Sequence, residues 1–590
     1  MTAQEVVELF VPIANLLQLE QNGHVFINGH RGCGKSMMFR FMCPDCQILH
    51  KGGDLTQLPY FGVYLSIKAT DLNLPEFRRL EGQTAGYVLS EHVLVNYFVS
   101  KAFQSLSDFF VGHISKSDGM TEFSNFCQST LFRRLKSYGV GVGSELLEVS
   151  DPKTLLTSII EIFNGIHRQV LLYLKQLSFS NTVFPYQGPL FGFYDLLQPL
   201  LLGIKKLAFM PDAPIYLLVD DADNLTRQQT EVLNTWVSYR TTADFSLKIS
   251  TQLNYKTWLT TTGRRIEAPH DYSEINISSV HTGPIKDKYP DWVEKIVTKR
   301  LELHDIHTTA KAFFPVDEKQ EEAIRTIAEE YILNWQTASS RGYRPRDDAY
   351  RYARPEYIKR LTESKQGSQY KYAGFDQLVH ISSGIIRYFL DPAAKMFSKA
   401  LKQSGTAVVS EIPPGIQDEI LREESAEILL GDFDKLIRDL DLNDSPEAPE
   451  LVKRMIKLRN LIYTVGALFH QLLRSNRAER RVFSFAISDE PDQELLEVLR
   501  LGVEYGYFYV SSIGTKSGFG RTNLFILSRR LAPFFKLDPT GVSGYKFVTS
   551  SFLVSAMNKP VMIQHRLRNE DLDSIVLAGQ QGSLFAQVDS

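Results

Sequence analysis

Residues 25–36 read Val25-Phe26-Ile27-Asn28-Gly29-His30-Arg31-Gly32-Cys33-Gly34-Lys35-Ser36. Three apolar residues make a short strand, a glycine-rich turn follows, and a helix begins near Lys35. The segment from Gly29 to Ser36 matches G-x-x-x-x-G-K-[ST] in full, in the strand-loop-helix context that the motif requires. Glycines let successive backbone N–H groups curl around an anion, and the helix points its positive end at the same place. Lys35 is spaced to reach β- and γ-phosphates, and the Ser36 hydroxyl to complete a Mg²⁺ shell. All eight residues of the loop, Gly29, His30, Arg31, Gly32, Cys33, Gly34, Lys35 and Ser36, are therefore assigned to binding ATP.

A metal at this loop needs a carboxylate at the end of a neighbouring strand. Ile215-Tyr216-Leu217-Leu218-Val219-Asp220-Asp221 supplies one. Asp220 is the expected Mg²⁺ residue, acting through water, and Asp221 the residue that positions the attacking water. Many ATPases carry a glutamate there; an aspartate is one methylene shorter, which predicts slow hydrolysis and a switch rather than a motor.

Further strands are expected at 60–68, 246–251 and 274–277, each a short apolar run ending in polar residues. Residues 4–20 read as one helix. Residues 75–205 read as mostly helical, with the clearest helix opening at Asp151-Pro152, a capping residue before a proline at the first helical position. Strands alternating with helices predict a parallel α/β sheet. After a helical stretch over 290–400, Pro413-Pro414-Gly415 marks a linker. A helix to Arg474, a strand at 483–487, a helix over 491–505 and strands at 507–513 and 523–527 then predict a winged helix-turn-helix.

The chain has 590 residues, 43% hydrophobic and 23% charged, with a formal net charge of -3. That length predicts several domains, and that charge leaves nucleic-acid contact to local patches. Four cysteines fit a reducing, cytoplasmic environment. The spacing Cys43-Pro44-Asp45-Cys46 has no second pair to complete a zinc site, and buried or helix-end thiols are expected. The start lacks the order of a secretory signal. The stretch 190–210 contains Asp195, Lys205 and Lys206 and reads as a buried helix, with no membrane span.

These motifs resemble the origin-recognition-complex-like (ORC/CDC-type) branch of the AAA+ ATPases, including its bacterial members and the related STAND-type signalling ATPases. The resemblance covers residues 1–400, and 450–550 at the level of domain order. It implies an α/β P-loop NTPase core (1–285) with a large helical insertion (about 75–205), a helical lid (286–402), a linker and connector (403–450), a winged helix (451–560) and a tail (561–590). Residues 246–254 resemble the sensor-1 strand, with Thr251 and Asn254 as candidates for feeling the γ-phosphate. Ser382-Ser383-Gly384-Ile385-Ile386-Arg387 is similar to sensor 2, in which a lid arginine contacts nucleotide; the alternative for Arg387 is a helix surface charge. Arg264 and Arg265 lie where such proteins keep an arginine finger acting on a neighbour's ATP, which implies a homo-oligomer; the alternative is a solvated loop. Lys35 and Asp220 are 185 residues apart, longer than a compact core requires, so the insertion accounts for the excess.

The resemblance implies an ATP-dependent, DNA-associated assembly factor or switch, in antiviral defence or genome maintenance. The alternative is a STAND-like regulatory ATPase that controls a protein effector without direct DNA binding. Charge does not decide between them. Arg474, Arg477, Arg480, Arg481, Lys516 and Arg521 could meet phosphates, but the expected recognition helix is acidic, with Asp489, Glu490, Asp492, Glu494, Glu497 and Glu504 against Arg500. Residues 341–372 hold nine Lys/Arg against four acids, with interleaved tyrosines, and read either as a stacking surface for nucleic acid or as a lid segment in which Arg and Tyr pack together. In the tail, Gln581-Gly582-Ser583-Leu584-Phe585 resembles the pentapeptide by which bacterial replication proteins dock on the sliding clamp.

Overall fold

The fold is described from a computed structural model, which covers residues 1–576 apart from 14–15, 68–71, 73–74, 81, 144–145, 147–148, 240–242, 254, 278–288, 338–344, 364–368, 406–408, 442–447, 477–479, 515–519 and 541–543. The chain divides into two compact units, 1–278 and 279–590.

In the first unit, β1 (Val25–Asn28), β2 (Phe61–Ser66), β3 (Ile215–Asp220), β4 (Phe245–Thr251) and β5 (Ser273–Asn276) form one sheet in the order β2-β3-β4-β1-β5. Every pairing is parallel, so all five strands end on the same edge. The apolar runs form strands because both faces are covered. Side chains alternate between the faces. Val25, Ile27, Tyr216 and Leu218 pack with Met38, Phe39 and Phe41 of the helix Lys35–Phe41, while Val63, Leu65, Leu217, Val219, Leu247 and Ile249 belong to the core on the other side.

That second core contains the helical insertion. Helices Thr84–Phe109 and Pro152–Ser178 share one continuous apolar cluster with the sheet, through Val93, Val95, Phe98, Phe103, Leu156, Ile159 and Phe163. At about 1.5–3 kcal/mol per large apolar side chain buried, these contacts make the insertion part of the sheet's own core. The second of these helices starts as its sequence predicts: Asp151 accepts from the Thr154 amide at 2.8 Å, and Pro152 follows. In the 190–210 stretch a wide turn, Phe193–Leu197, leads into the helix Gln198–Lys205 with Leu200, Leu201 and Ile204 buried. Among the described residues, no helix is long and apolar enough to cross a membrane. The single helix expected over 4–20 is broken into Ala3–Leu9 and Leu16–Leu19. Pro12 lacks a backbone donor and disfavours helical geometry in the residue before it.

The second unit begins with helices, among them Tyr289–Glu302, Glu318–Thr337, Pro345–Glu363, Phe375–Ile381 and Arg387–Ser404. It continues through the helix Ala448–Arg474 into β6 (Val482–Ile487), the helix Gln493–Glu504, β7 (Phe508–Gly514), β8 (Arg521–Leu527) and β9 (Gly544–Val548). The helix-strand-helix-hairpin order thus follows the sequence reading to within two residues at each boundary. Strand β9 was not expected: it pairs in parallel with β6 and completes a sheet ordered β7-β8-β6-β9. Only one helix lies between β6 and β7.

Candidate functional site

Between β1 and its helix the loop takes the shape that its glycines allow. Gly32 and Gly34 have φ of 88° and 100°, a left-handed backbone that a side chain would disfavour. Gly29 donates its amide to the Thr251 carbonyl at 3.2 Å, which fastens the loop to the end of β4. Lys35 is 6% exposed, and its ammonium donates to the carbonyls of Gly29 at 2.6 Å and His30 at 3.1 Å. The Cys33 thiol donates to the same His30 carbonyl at 2.9 Å. Burial, with Lys35 beside it, pushes the His30 imidazole down to about 4, so it is neutral near pH 7. Arg31 is exposed and Ser36 half-buried.

Asp220 closes β3. In parallel register Ser66 pairs with Asp220 and Tyr64 with Leu218, so Tyr64 and Asp220 lie on one face of the sheet, the face covered by the helix Lys35–Phe41. The carboxylate of Asp220 is fully buried. Its Oδ1 accepts from Ser250 Oγ at 2.5 Å and from the Asp221 amide at 3.1 Å; its Oδ2 accepts from the Tyr64 hydroxyl at 2.7 Å. Burial and the neighbouring Asp220 carboxylate push the Tyr64 phenol up, so it stays a donor. Asp221 is half-buried with φ 57° and ψ 44°, an unusual backbone that aspartate tolerates better than most residues. Its amide is also 2.9 Å from Ser250 Oγ.

β4 lies between β1 and β3, so Thr251 ends its strand between the loop and Asp220. Thr251 is buried, and its hydroxyl donates to the Gln252 carbonyl at 3.2 Å. Gln252 donates to Asp223 Oδ2 at 2.8 Å. Asn254 lies outside the described residues. Arg264 and Arg265 belong to a small hairpin closed by a bridge between Leu259 and Arg265. Arg264 is paired with Asp271 at 3.0 Å, and Arg265 is exposed. Arg387 belongs to the second unit, exposed at the start of the helix Arg387–Ser404. Just before it, Ser383 sits at φ 54° and its hydroxyl accepts from the Arg529 amide at 3.1 Å.

The donor set fits a magnesium nucleotide. A glycine cradle holds a buried ammonium at its base. The loop helix starts above the face to which Asp220 points, and hydroxyl and carboxylate oxygens are the ligand class that Mg²⁺ prefers. The sequence reading missed Tyr64, Ser250, Gln252 and Asp223. Only their places in or just after the strands β2, β3 and β4 could have flagged them, since no motif joins those strands.

Cys43 and Cys46 are buried, with both thiols pushed up to about 12 by burial, and no metal-ligand cluster occurs among the described residues. In the basic stretch 341–372, three of the described bases are paired with acids. Arg354 forms a two-point pair with Glu321, Arg360 pairs with Glu330 and Glu356, Lys371 pairs with Asp317, and Tyr370 and Tyr372 are buried. On the acidic helix Gln493–Glu504, Glu494 pairs with Lys457 and Glu497 with Arg454. Arg477, Lys516 and the clamp-like pentapeptide 581–585 lie outside the described residues.

No curated protein matches the chain. Among solved structures it is similar to the crystal structure of Cdc6p from Pyrobaculum aerophilum, at 13% identity over 96% of this chain and 94% of that one, with a TM-score of 0.28. The family model described as ORC-CDC6-like matches residues 1–547. With that match over most of its length and a parallel α/β core ending in a phosphate-type loop, the chain belongs to the ORC-CDC6-like family of AAA+ proteins.

Proposed function

We propose that the protein is an ATP-binding, slowly hydrolysing AAA+ switch whose nucleotide state governs assembly. The observation that carries this reading is the convergence on one sheet edge of the Gly32/Gly34 cradle, the buried Lys35 and the buried Asp220.

In this reading the loop amides of Gly29 to Ser36 hold the phosphates, and Lys35 exchanges its two carbonyl partners for phosphate oxygens. Bound Mg²⁺ would supply charge neutralisation to the phosphates. Ser36 and Asp220 hold it, Asp220 through water. Asp221 accepts from the attacking water and orients it. Its short side chain and left-handed backbone support slow turnover. Thr251 and Asn254 report the γ-phosphate from the end of β4, and Arg387 contacts nucleotide from the lid. Of the two finger candidates, Arg265 is better suited, because Arg264 is already engaged by Asp271.

Residues 451–560 act as a winged-helix module and 286–402 as the lid. Two downstream roles are compatible with such a switch: association with DNA in genome maintenance or antiviral defence, and control of a protein effector without DNA contact. The pairing of Arg354, Arg360 and Lys371 in 341–372 with acids, and of Glu494 and Glu497 on the helix Gln493–Glu504 with bases, supports the effector reading. Cytoplasmic placement and clamp docking through 581–585 remain parts of the DNA-associated reading.

Calorimetry with Mg²⁺ and ATP tests the core of the proposal. The unmodified chain should bind, and Lys35→Ala should weaken binding by at least about 100-fold. Asp221→Asn, which keeps the left-handed backbone, should bind normally and release no phosphate. Normal ATP affinity in Lys35→Ala would remove the proposal.

A further inference from the structure

Both oxygens of the metal-side carboxylate of the proposed nucleotide site accept hydrogen bonds from the protein. Asp220 has no exposed surface. Each carboxylate oxygen accepts about two hydrogen bonds. Oδ1 has both of its own, from Ser250 Oγ at 2.5 Å and the Asp221 amide at 3.1 Å. Oδ2 faces the Tyr64 hydroxyl at 2.7 Å. Ser250 and the Asp221 amide are fixed by the sheet: Ile249 of β4 pairs with Val219 of β3, which places Ser250 beside Asp220. Tyr64 differs. It is a half-buried side chain one strand over, with its ring at the rim of the apolar cluster beneath the helix Lys35–Phe41. Its hydroxyl reaches the one carboxylate oxygen that the sheet leaves open.

A buried carboxylate without donors costs several kcal/mol in an apolar environment. In the absence of a cation, Tyr64 provides the donor that a metal-bound water would otherwise supply. The phenol and such a water need the same oxygen, and the complete burial of Asp220 leaves no second approach.

We propose that Tyr64 is a positioning residue that locks Asp220 in the nucleotide-free protein, and that its hydroxyl yields Oδ2 to the hydration shell of the divalent cation when Mg²⁺-nucleotide binds. The proposal rests on the nucleotide-site reading above and adds to it a threshold: part of the metal's binding energy is spent on breaking the Tyr64–Asp220 bond. Nucleotide without metal leaves the lock closed.

The test measures affinity twice on the full chain, once for ATP with Mg²⁺ and once for ATP in EDTA. Tyr64→Phe removes the lock and keeps the ring. It should bind Mg²⁺-ATP about tenfold more tightly, the equivalent of a charge-assisted hydrogen bond no longer broken, with metal-free affinity unchanged. Genetically encoded 3-fluorotyrosine at position 64 keeps the shape and makes a stronger donor. It should shift Mg²⁺-ATP affinity the opposite way, and its ¹⁹F resonance should move with Mg²⁺-ATP but not with ATP in EDTA. Unchanged or weaker Mg²⁺-ATP binding by Tyr64→Phe overturns the proposal. Should that variant fail to fold, a ¹⁹F resonance indifferent to Mg²⁺ overturns it equally. Failure of the unmodified chain to bind ATP under either condition is a different result, which removes the nucleotide-site reading itself.

Discussion

The first sheet runs entirely in parallel, so the ends of β1, β3 and β4 share one edge, where Lys35, Asp220, Ser250 and Thr251 are all buried. The second sheet mixes antiparallel and parallel pairs, with β8 running against β6, β7 and β9. It too is associated with buried charge, but that charge is neutralised within the fold. Asp538 is 1% exposed, accepts from the Thr540 amide at 3.0 Å and hydroxyl at 2.6 Å, and lies 3.8 Å from Arg481. Burial pulls Arg529 down to about 10, with Asp538 opposing the shift. At the first sheet the buried acid is held by hydroxyl and amide donors alone; at the second the Thr540 amide and hydroxyl hold it, and the Arg481 guanidinium, a permanent cation, lies beside them. Buried charge by itself therefore does not mark a site. The kind of partner does.

The sharpest way to break this contrast is to remove one buried acid from each sheet. Asp538→Ala removes the buried negative charge that faces Arg481 and Arg529 and should destabilise the chain by about 3–5 kcal/mol, with Mg²⁺-ATP affinity unchanged. Asp220→Ala loses bonds to neutral donors, should cost about 1–3 kcal/mol, and should abolish the dependence of ATP affinity on Mg²⁺. Denaturant unfolding and calorimetry read both. Equal stability losses in the two variants would erase the distinction.

Acid should act on both units next, through His470 in the second and three histidines in the first. In the first unit His24, His30 and His92 are each lowered to about 4, burial being the largest cause. Each is neutral when folded, so below pH 6.5 the unfolded chain takes up protons that the folded one refuses. Stability should fall as pH drops from 6.5 to 4, by up to about 3 kcal/mol per histidine. His92 lies inside the insertion, where its Nδ1 accepts from the Phe191 amide at 3.0 Å. His92→Gln should flatten its share of the slope in melting curves recorded between pH 7 and 5. An unchanged slope would show that the insertion does not unfold with the sheet.

The smallest effect is expected on the wing. Arg521 of β8 is exposed and bonded to Ser512 Oγ at 2.9 Å and to its carbonyl at 2.8 Å. Arg521→Ala should change stability by less than about 0.5 kcal/mol. Anisotropy with a DNA duplex at low salt should show no difference from the unmodified chain. A clear loss of DNA binding would favour the DNA-associated reading over the effector reading.

The strands of the first sheet were legible because each is a short apolar run closed by polar residues, and the loop because glycine spacing and a lysine have few other uses. Tyr64 and Ser250 were not legible: they meet Asp220 from 156 and 30 residues away, and only strand register brings them there. The basic stretch 341–372 could be counted but not judged, since Glu321 and Glu330, which answer Arg354 and Arg360, lie on another helix. Strand β9 escaped notice because Gly544–Val548 alternates only weakly between exposed and buried positions.

Sequence alone determined the phosphate-type loop, the acidic strand end, the parallel α/β core and the large insertion, because these depend on local periodicity and on residue types with narrow uses. The tertiary structure alone decided which donors hold Asp220, which of the paired arginines is engaged, and that Arg354, Arg360 and Lys371 of 341–372 are paired with acids. Those outcomes depend on which distant residues are brought within hydrogen-bonding distance, and strand order and register set that.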